Sequence, residues 1–564
     1  MTLKELKDLQ EAPEWLTEEG LKTMEGGYLL QGETPKGMYR RVAKAAASYY
    51  ENKEYWEMVF FRAMWLNWLC IASPIAANMG TSRGLPISCN SIHVGDSVDS
   101  IFTKNHEHAM LSKHGAGVGI YMGDVRARGS SIQGNGRSEG VIPWCRTFDT
   151  TTVAVSQGST RRGAAAIYLP VDHGDFDEFL NIRRPTGDLN RRCLNTNQGV
   201  CISDAWMQSM MAGDKDKRTQ WENILKTRVE TGEPYLFFSD AVNRANPECY
   251  VKNGLSVKTS NICTEIMLHT DEEHSFVCCL SSLNLTKWNE WSDSDLPNVA
   301  IRFLDAVLEE YIVKSENKVG LECSRRSAIK GRAIGLGVLG WHTLLQKSDM
   351  PFDSFEAMSL NAQIFSTIKR KALEESKKMA VELGEPEWCK GFGVRNTHLL
   401  AVAPTVSNSL MSGGHSPGIE PIAANIYSQK SSKGTFIRKN PVLEVVLLQL
   451  GKDTPEVWQS INESGGSVQH LSFLTPEQKA VFLTAREINQ HAIVKQAVQR
   501  QKWVDQAQSV NLFFGTNSPP KYIHEVHLGA WEGGLKTLYY LRSEGVLRGD
   551  LASRSKDECA ACDG

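Results

Sequence analysis

Leucine, methionine and aromatic residues recur at helical spacing through residues 1 to about 70, with polar residues between them. That period predicts a helical N-terminal region over 1–70. From about 71 onward the pattern changes to short β-rich runs alternating with amphipathic stretches, the mark of α/β architecture. Residues 118–122, 164–169 and 199–202 read as strands. Asp96 is placed to cap a helix in which Val98, Ile101, Phe102, Ala109 and Met110 share one face. The apolar stretch from Trp56 to Met79 is interrupted by Glu57, Arg62 and Asn67, so it predicts a buried helix rather than a membrane span. From Glu544 the chain is small and polar, which predicts a flexible tail over 544–564 behind a catalytic domain spanning 71–543.

Composition adds little against this reading. In 564 residues, 62 basic and 65 acidic side chains leave a net charge of -3, with no reason to invoke nucleic acid or an acidic membrane surface. The N-terminus lacks the apolar core of a secretory signal, and a cytoplasmic location is expected. The 13 cysteines are odd in number and widely spread, unlike a secreted disulfide framework. Cys70, Cys145, Cys193, Cys201, Cys249, Cys279, Cys323 and Cys389 read as packing thiols.

Two glycine patterns imitate nucleotide-binding turns. Gly335-Leu336-Gly337-Val338-Leu339-Gly340 has the dinucleotide spacing, but residues 330–334 make a poor buried strand before it. Gly115-Ala116-Gly117-Val118-Gly119 follows a helix and precedes a strand, the reverse of the required order. Both read as tight turns and close packing.

The chemistry concentrates elsewhere. In an extended segment Asn261, Cys263 and Glu265 would face one side, presenting an amide, a thiol and a carboxylate to adjacent substrate hydroxyls. Cys559-Ala560-Ala561-Cys562 suits thiol–disulfide exchange or half of a zinc site. With no second C-x-x-C, a closed four-cysteine site is hard to build within the chain.

Taken together, Ser260-Asn261-Ile262-Cys263-Thr264-Glu265-Ile266 with Cys278 beyond it closely resembles the finger-loop region of ribonucleotide reductase catalytic subunits. Ser88-Cys89 before Gly95-Asp96-Ser97, Gln157-Gly158-Ser159-Thr160-Arg161, Ala403-Pro404-Thr405-Val406-Ser407, Lys536 to Arg542 and the terminal cysteine pair extend that resemblance in the family's order. It implies a ten-stranded α/β barrel with a central finger loop, a helical N-terminal region and a flexible redox tail. The implied function is radical-based reduction of ribonucleotides, as diphosphates, for deoxyribonucleotide synthesis.

The resemblance also implies roles. Cys263 becomes a thiyl radical that removes the ribose 3′ hydrogen. Glu265 takes the 3′-hydroxyl proton, and Asn261 orients the sugar. Cys89 protonates the departing 2′-hydroxyl and then closes a disulfide with Cys278, which Cys559 and Cys562 restore. Tyr539 and Tyr540 relay the radical. Ser73, Ser88, Pro404, Thr405, Val406, Ser407 and Asn408 are expected around the substrate. Asp96, Arg126, Gln157 and Arg161 are expected around a dNTP or ATP effector carrying Mg2+.

The chain itself is expected to hold no metal and no organic cofactor. A ferritin-like, metal-containing small subunit supplies the radical, thioredoxin or glutaredoxin the electrons, and the chain pairs as a homodimer. Neither a membrane nor a nucleic acid is an expected partner. The family's N-terminal ATP-cone is expected to be absent, and the compact chain fits a viral enzyme working in the host cytoplasm. Two rivals stand beside this reading: an adenosylcobalamin-dependent reductase, and a catalytically silent dNTP-binding regulator.

Overall fold

The computed structural model describes residues 1–155, 163–431 and 434–543. Thirteen strands occur among them. They are β1 (Leu69–Ile71), β2 (Cys89–His93), β3 (Gly117–Tyr121), β4 (Ala164–Pro170), β5 (Asn197–Ile202), β6 (Tyr235–Phe238), β7 (Phe276–Asn284), β8 (Ile334–Leu339), β9 (Ile426–Ser431), β10 (Gly434–Lys439), β11 (Leu512–Phe514), β12 (Thr537–Leu538) and β13 (Leu541–Ser543).

β2 to β6 pair in parallel, each with the next. Their side chains are almost wholly buried on both faces, as expected where helices cover a parallel sheet. Helices Val98–Lys113, Ile142–Val155 and Lys215–Thr231 supply crossovers between them. β7 runs antiparallel to β2 on one edge and parallel to β8 on the other. β8 then bridges to Leu400, Val402 bridges to Gln508, and Val510 accepts from the Tyr539 amide at 2.9 Å. β12, just before Tyr539, pairs antiparallel with β6. The ring is thereby closed. It takes β2 to β6, β12, the segments around 508–510 and 399–402, and then β8 and β7. This is the ten-membered barrel expected from the resemblance, with two members too short to form regular strands.

The N-terminal helices Leu3–Asp8, Glu18–Glu25 and Pro35–Ala47 begin at Thr2, Thr17 and Thr34, whose hydroxyls accept the orphan amides of the first turn. Their apolar faces join the same core as the barrel. Residues 56–79 depart from the expected buried helix. A helix ends at Trp65, β1 pairs with β7, and a short helix begins at Ser73. Asn67 causes the break: it adopts a left-handed φ of 59° and ties its side chain to the Ser412 carbonyl at 2.9 Å.

Helix Val98–Lys113 is capped by Ser97, not Asp96. Its buried face carries Ile101, Lys104, His108 and Leu111, while Val98 and Phe102 point outward. A satellite core around Leu443, Leu447, Trp458 and Ile461 packs separately from the barrel and was not foreseen. No described helix is long and apolar enough to cross a membrane.

Candidate active site

The first glycine pattern turns out to be strand β8 itself. A Cβ on Gly335 would lie 3.3 Å from Cys278 Sγ and 2.5 Å from Leu280, and one on Gly337 would strike the Ala401 carbonyl at 2.5 Å. The second pattern makes room for the loop that carries Cys263. A Cβ on Gly119 would sit 1.8 Å from the Ser260 carbonyl oxygen, far inside contact distance. Only glycine lets residues 255–270 pass across the barrel interior there.

That loop is not the extended strand expected from alternation. It turns at Ile262–Thr264, where the Thr264 amide reaches the Asn261 carbonyl at 3.4 Å and Thr264 has a φ of 67°. A threonine in the left-handed region is strained, so the surroundings must hold it. Tyr168 donates to the Asn261 carbonyl at 2.7 Å, Ser509 to the Cys263 carbonyl at 2.6 Å, and Thr537 to the Thr264 carbonyl at 2.9 Å. Gln506 accepts from the Met267 amide at 3.0 Å. Within this turn the Asn261 side chain hydrogen-bonds the Glu265 carboxyl, a contact that strand alternation alone would not give.

Cys89 and Cys278 are direct cross-strand partners of β2 and β7. Opposed residues of an antiparallel pair have Cα atoms about 4.5–5.5 Å apart, within disulfide range. Cys89 Sγ also lies 3.9 Å from Glu265 Oε1, which links the pair to the finger loop. Burial pushes the Cys278 thiol well above its usual range, with the neighbouring Cys279 adding to it, so the sulfur keeps its hydrogen at neutral pH.

Glu265 is fully buried, and burial raises its carboxyl to about 7 against hydrogen bonds from Asn261, Ser509 and Cys89. A carboxyl poised there both accepts and returns a proton near neutral pH. Ser509 and Gln506, the latter 3.5 Å from Cys278 Sγ, were missed from sequence. Their only trace was polar side chains within an otherwise buried run.

Tyr539 and Tyr540 stand with ring centroids 4.4 Å apart, and Tyr235 packs on them at 4.8 and 5.1 Å. Asn197 donates to the Tyr540 hydroxyl at 2.7 Å and also meets that of Tyr235. The Thr537 contact sets this strand against the Cys263 turn.

Around the expected substrate positions, a helix starts at Val406 behind Thr405, whose hydroxyl accepts from the Gly418 amide at 2.8 Å. Asn408 donates to the Cys70 carbonyl at 3.2 Å, close in chain to the helix opening at Ser73. Pro404 and Ser407 flank that turn, and Ser88 leads into Cys89. Farther out, Arg126 Nε binds both Asp96 oxygens, at 3.1 and 2.8 Å. Gln157, Arg161, Cys559 and Cys562 lie outside the described residues.

A family model described as ribonucleotide reductase, barrel domain, matches residues 87–218, 214–392 and 386–541, and the family's all-alpha domain model matches 14–84. The chain belongs to the ribonucleotide reductase large-subunit family. It is 33% identical over 626 residues to the ribonucleoside-diphosphate reductase large subunit of Invertebrate iridescent virus 3, covering 97% of this chain and 98% of that one. The corresponding large subunit of Arabidopsis thaliana is 31% identical, over 93% of this chain and 75% of the relative. Among solved structures, the Actinobacillus ureae class Id ribonucleotide reductase alpha subunit superposes with a TM-score of 0.88 at 42% identity, over 94% of this chain and 98% of that one. The family's reaction is ribonucleotide reduction, and class I kinship disfavours the cobalamin-dependent alternative.

Proposed function

We propose that this chain reduces ribonucleoside diphosphates by a thiyl radical at Cys263, the observation that carries the reading being Cys89 opposite Cys278 with Glu265 3.9 Å from Cys89. The radical arrives through Tyr540 and Tyr539 from a ferritin-like, metal-bearing small subunit. Cys263 takes the 3′ hydrogen atom while Glu265 takes the 3′-hydroxyl proton and Asn261 holds the sugar. Cys89 protonates the 2′-hydroxyl, which leaves as water. The two electrons that reduce the sugar come from Cys89 and Cys278 as their S–H bonds give way to one S–S bond. Cys263 then returns its hydrogen to C3′ and recovers the radical. Ser73, Ser88 and the turn 404–408 hold the substrate. Cys559 and Cys562 reopen the disulfide, drawing electrons from thioredoxin or glutaredoxin.

In the same reading Asp96, Arg126, Gln157 and Arg161 bind a dNTP effector with Mg2+. In the free chain Asp96 and Arg126 bind each other, so an effector must part them. The nearby helices leave Val98, Phe102 and Val153 exposed at 62%, 52% and 49%, which supports a homodimer formed on that face beside the effector. Mixing the full chain with a class I small subunit, and separately with adenosylcobalamin, tests the proposal against CDP and CTP. CDP reduction with the small subunit alone is expected. Turnover driven by adenosylcobalamin would overturn it.

A further inference from the structure

At the base of the finger loop, outside the catalytic centre, His269, Asp271 and His274 turn one ligand atom each into a space where all three lie within 4.8 Å of one another. His269 Nε2 is 3.0 Å from Asp271 Oδ2, and His274 Nδ1 is 3.0 and 3.1 Å from the two Asp271 oxygens. His269 Nδ1 lies 2.8 Å from the Ser256 carbonyl and 3.3 Å from the Ser256 amide, so the Ser256 backbone fixes the far nitrogen of the ring. Its Nε2 faces an Asp271 carboxylate oxygen, where either a ring proton or a bound cation bridges the two. A carbonyl orienting the far nitrogen of a histidine is also the usual support of a metal-bound ring.

Both rings are held before any ion arrives. Trp388 packs against His269 at 6.1 Å and His274 at 5.5 Å. The Glu273 and His274 amides donate to Asp271 Oδ1 at 2.8 and 2.7 Å, which fixes the carboxylate. His274 Nε2 is buried and has no hydrogen-bond partner among the described residues, so the protein offers this ring no other polar role. Asp271 is 46% exposed, which leaves an approach for an ion and a water ligand.

We infer that His269, Asp271 and His274 form a binding site for a divalent transition metal, zinc by preference. Two imidazoles and one carboxylate suit zinc, whose bonds of about 2.0–2.2 Å require neighbouring ligand atoms roughly 3 Å apart. A redox-inert ion is also the one compatible with nearby radical and thiol chemistry. Its place suggests its work. Ser256 lies on the limb entering the Cys263 turn and His269 on the limb leaving it, so the ion clasps the base of that loop without touching substrate.

The test uses the full chain carrying Cys559→Ser and Cys562→Ser, which removes competing tail thiols, stripped by chelator and reloaded with zinc chloride alone. Elemental analysis after gel filtration should find about one zinc per chain. Asp271→Asn keeps an oxygen for the two backbone amides, and should weaken zinc binding by more than about tenfold. Cobalt in the unsubstituted site should give visible bands without a thiolate charge-transfer band. Zinc uptake that is absent, unchanged by Asp271→Asn, or accompanied in the cobalt form by strong thiolate absorption would overturn the assignment. Because the cluster is read independently of reductase activity, loss of the catalytic proposal would leave this result standing.

Discussion

The finger-loop centre and the Asp96–Arg126 surface hold their functional side chains in opposite ways. Cys263, Glu265 and Asn261 are buried, and three neighbouring elements hydrogen-bond the turn that carries them. Asp96 and Arg126 are each 36% exposed and satisfy one another. The first region is assembled before any ligand binds, so under the proposed mechanism it waits for a radical rather than for folding. The second is closed upon itself, and under the proposed effector role it opens only when a nucleotide parts the pair. Preorganisation and responsiveness are thereby separated within one chain.

The comparison is broken most severely at the sulfur. Cys263→Ser should leave no detectable product with an active small subunit, while circular dichroism and nucleotide binding stay those of the parent. Product from that variant would remove the finger loop from the chemistry.

Glu265→Gln is the next largest effect, with a loss of about 10²–10⁴-fold in single-turnover rate. The pH dependence follows from burial. With its carboxyl raised from 4.5 to about 7, the base form fills only as pH rises through that value, so the parent rate should climb and then level. The variant should lose that limb. The stability effect has the opposite slope: the folded chain holds a proton between 4.5 and about 7 that the unfolded chain has lost. Stability contributed by this group therefore falls as pH rises across the window and flattens above it. A melting-temperature series on parent and variant checks the sign.

Gly119→Ala attacks the preorganisation without touching a reacting atom. The added methyl would meet the Ser260 carbonyl at 1.8 Å, so the loop must shift. Displacement on the scale of an ångström costs catalysis about 10²-fold, and the overpacking about 1–3 kcal/mol of stability. Parent-like kinetics would mean that the loop tolerates movement, and the contrast between the two regions would fail.

Much of this was legible in the linear text, and the reason is chemical. A thiol between an amide and a carboxylate, paired cysteines and adjacent tyrosines are unusual combinations, so the motif order pointed at the centre before any geometry. Strand runs of small and branched residues likewise located β3, β4 and β5 to within a residue or two. What failed was local conformation set by distant contacts. The Asn261–Glu265 segment alternates on paper, yet Tyr168, Ser509 and Thr537 fold it into a turn. Asp96 has the chemistry of a cap, but Arg126, thirty positions away, claims its carboxylate while Ser97 caps the helix. Gly119 looked like ordinary close packing, and only the crossing of the finger loop shows what is packed. Tyr235 and Asn197 carried no signal at all, since a tyrosine in a buried strand is common and their contact spans sheet neighbours.

The smallest effect sharpens the responsive side of the comparison. Arg126→Ala deletes an exposed ion pair of a kind worth about 1 kcal/mol or less, so the melting temperature of the free chain should scarcely move. The melting shift produced by added dNTP should nonetheless shrink, because the proposed phosphate partner is gone. Binding reciprocity extends the argument: if effector identity alters substrate affinity, substrate must alter effector affinity by the same factor. Titrating dNTP with and without CDP, in parent and variant, measures both halves. An undiminished, substrate-dependent dNTP shift in Arg126→Ala would move the effector away from the Asp96–Arg126 pair and leave that pair as surface structure.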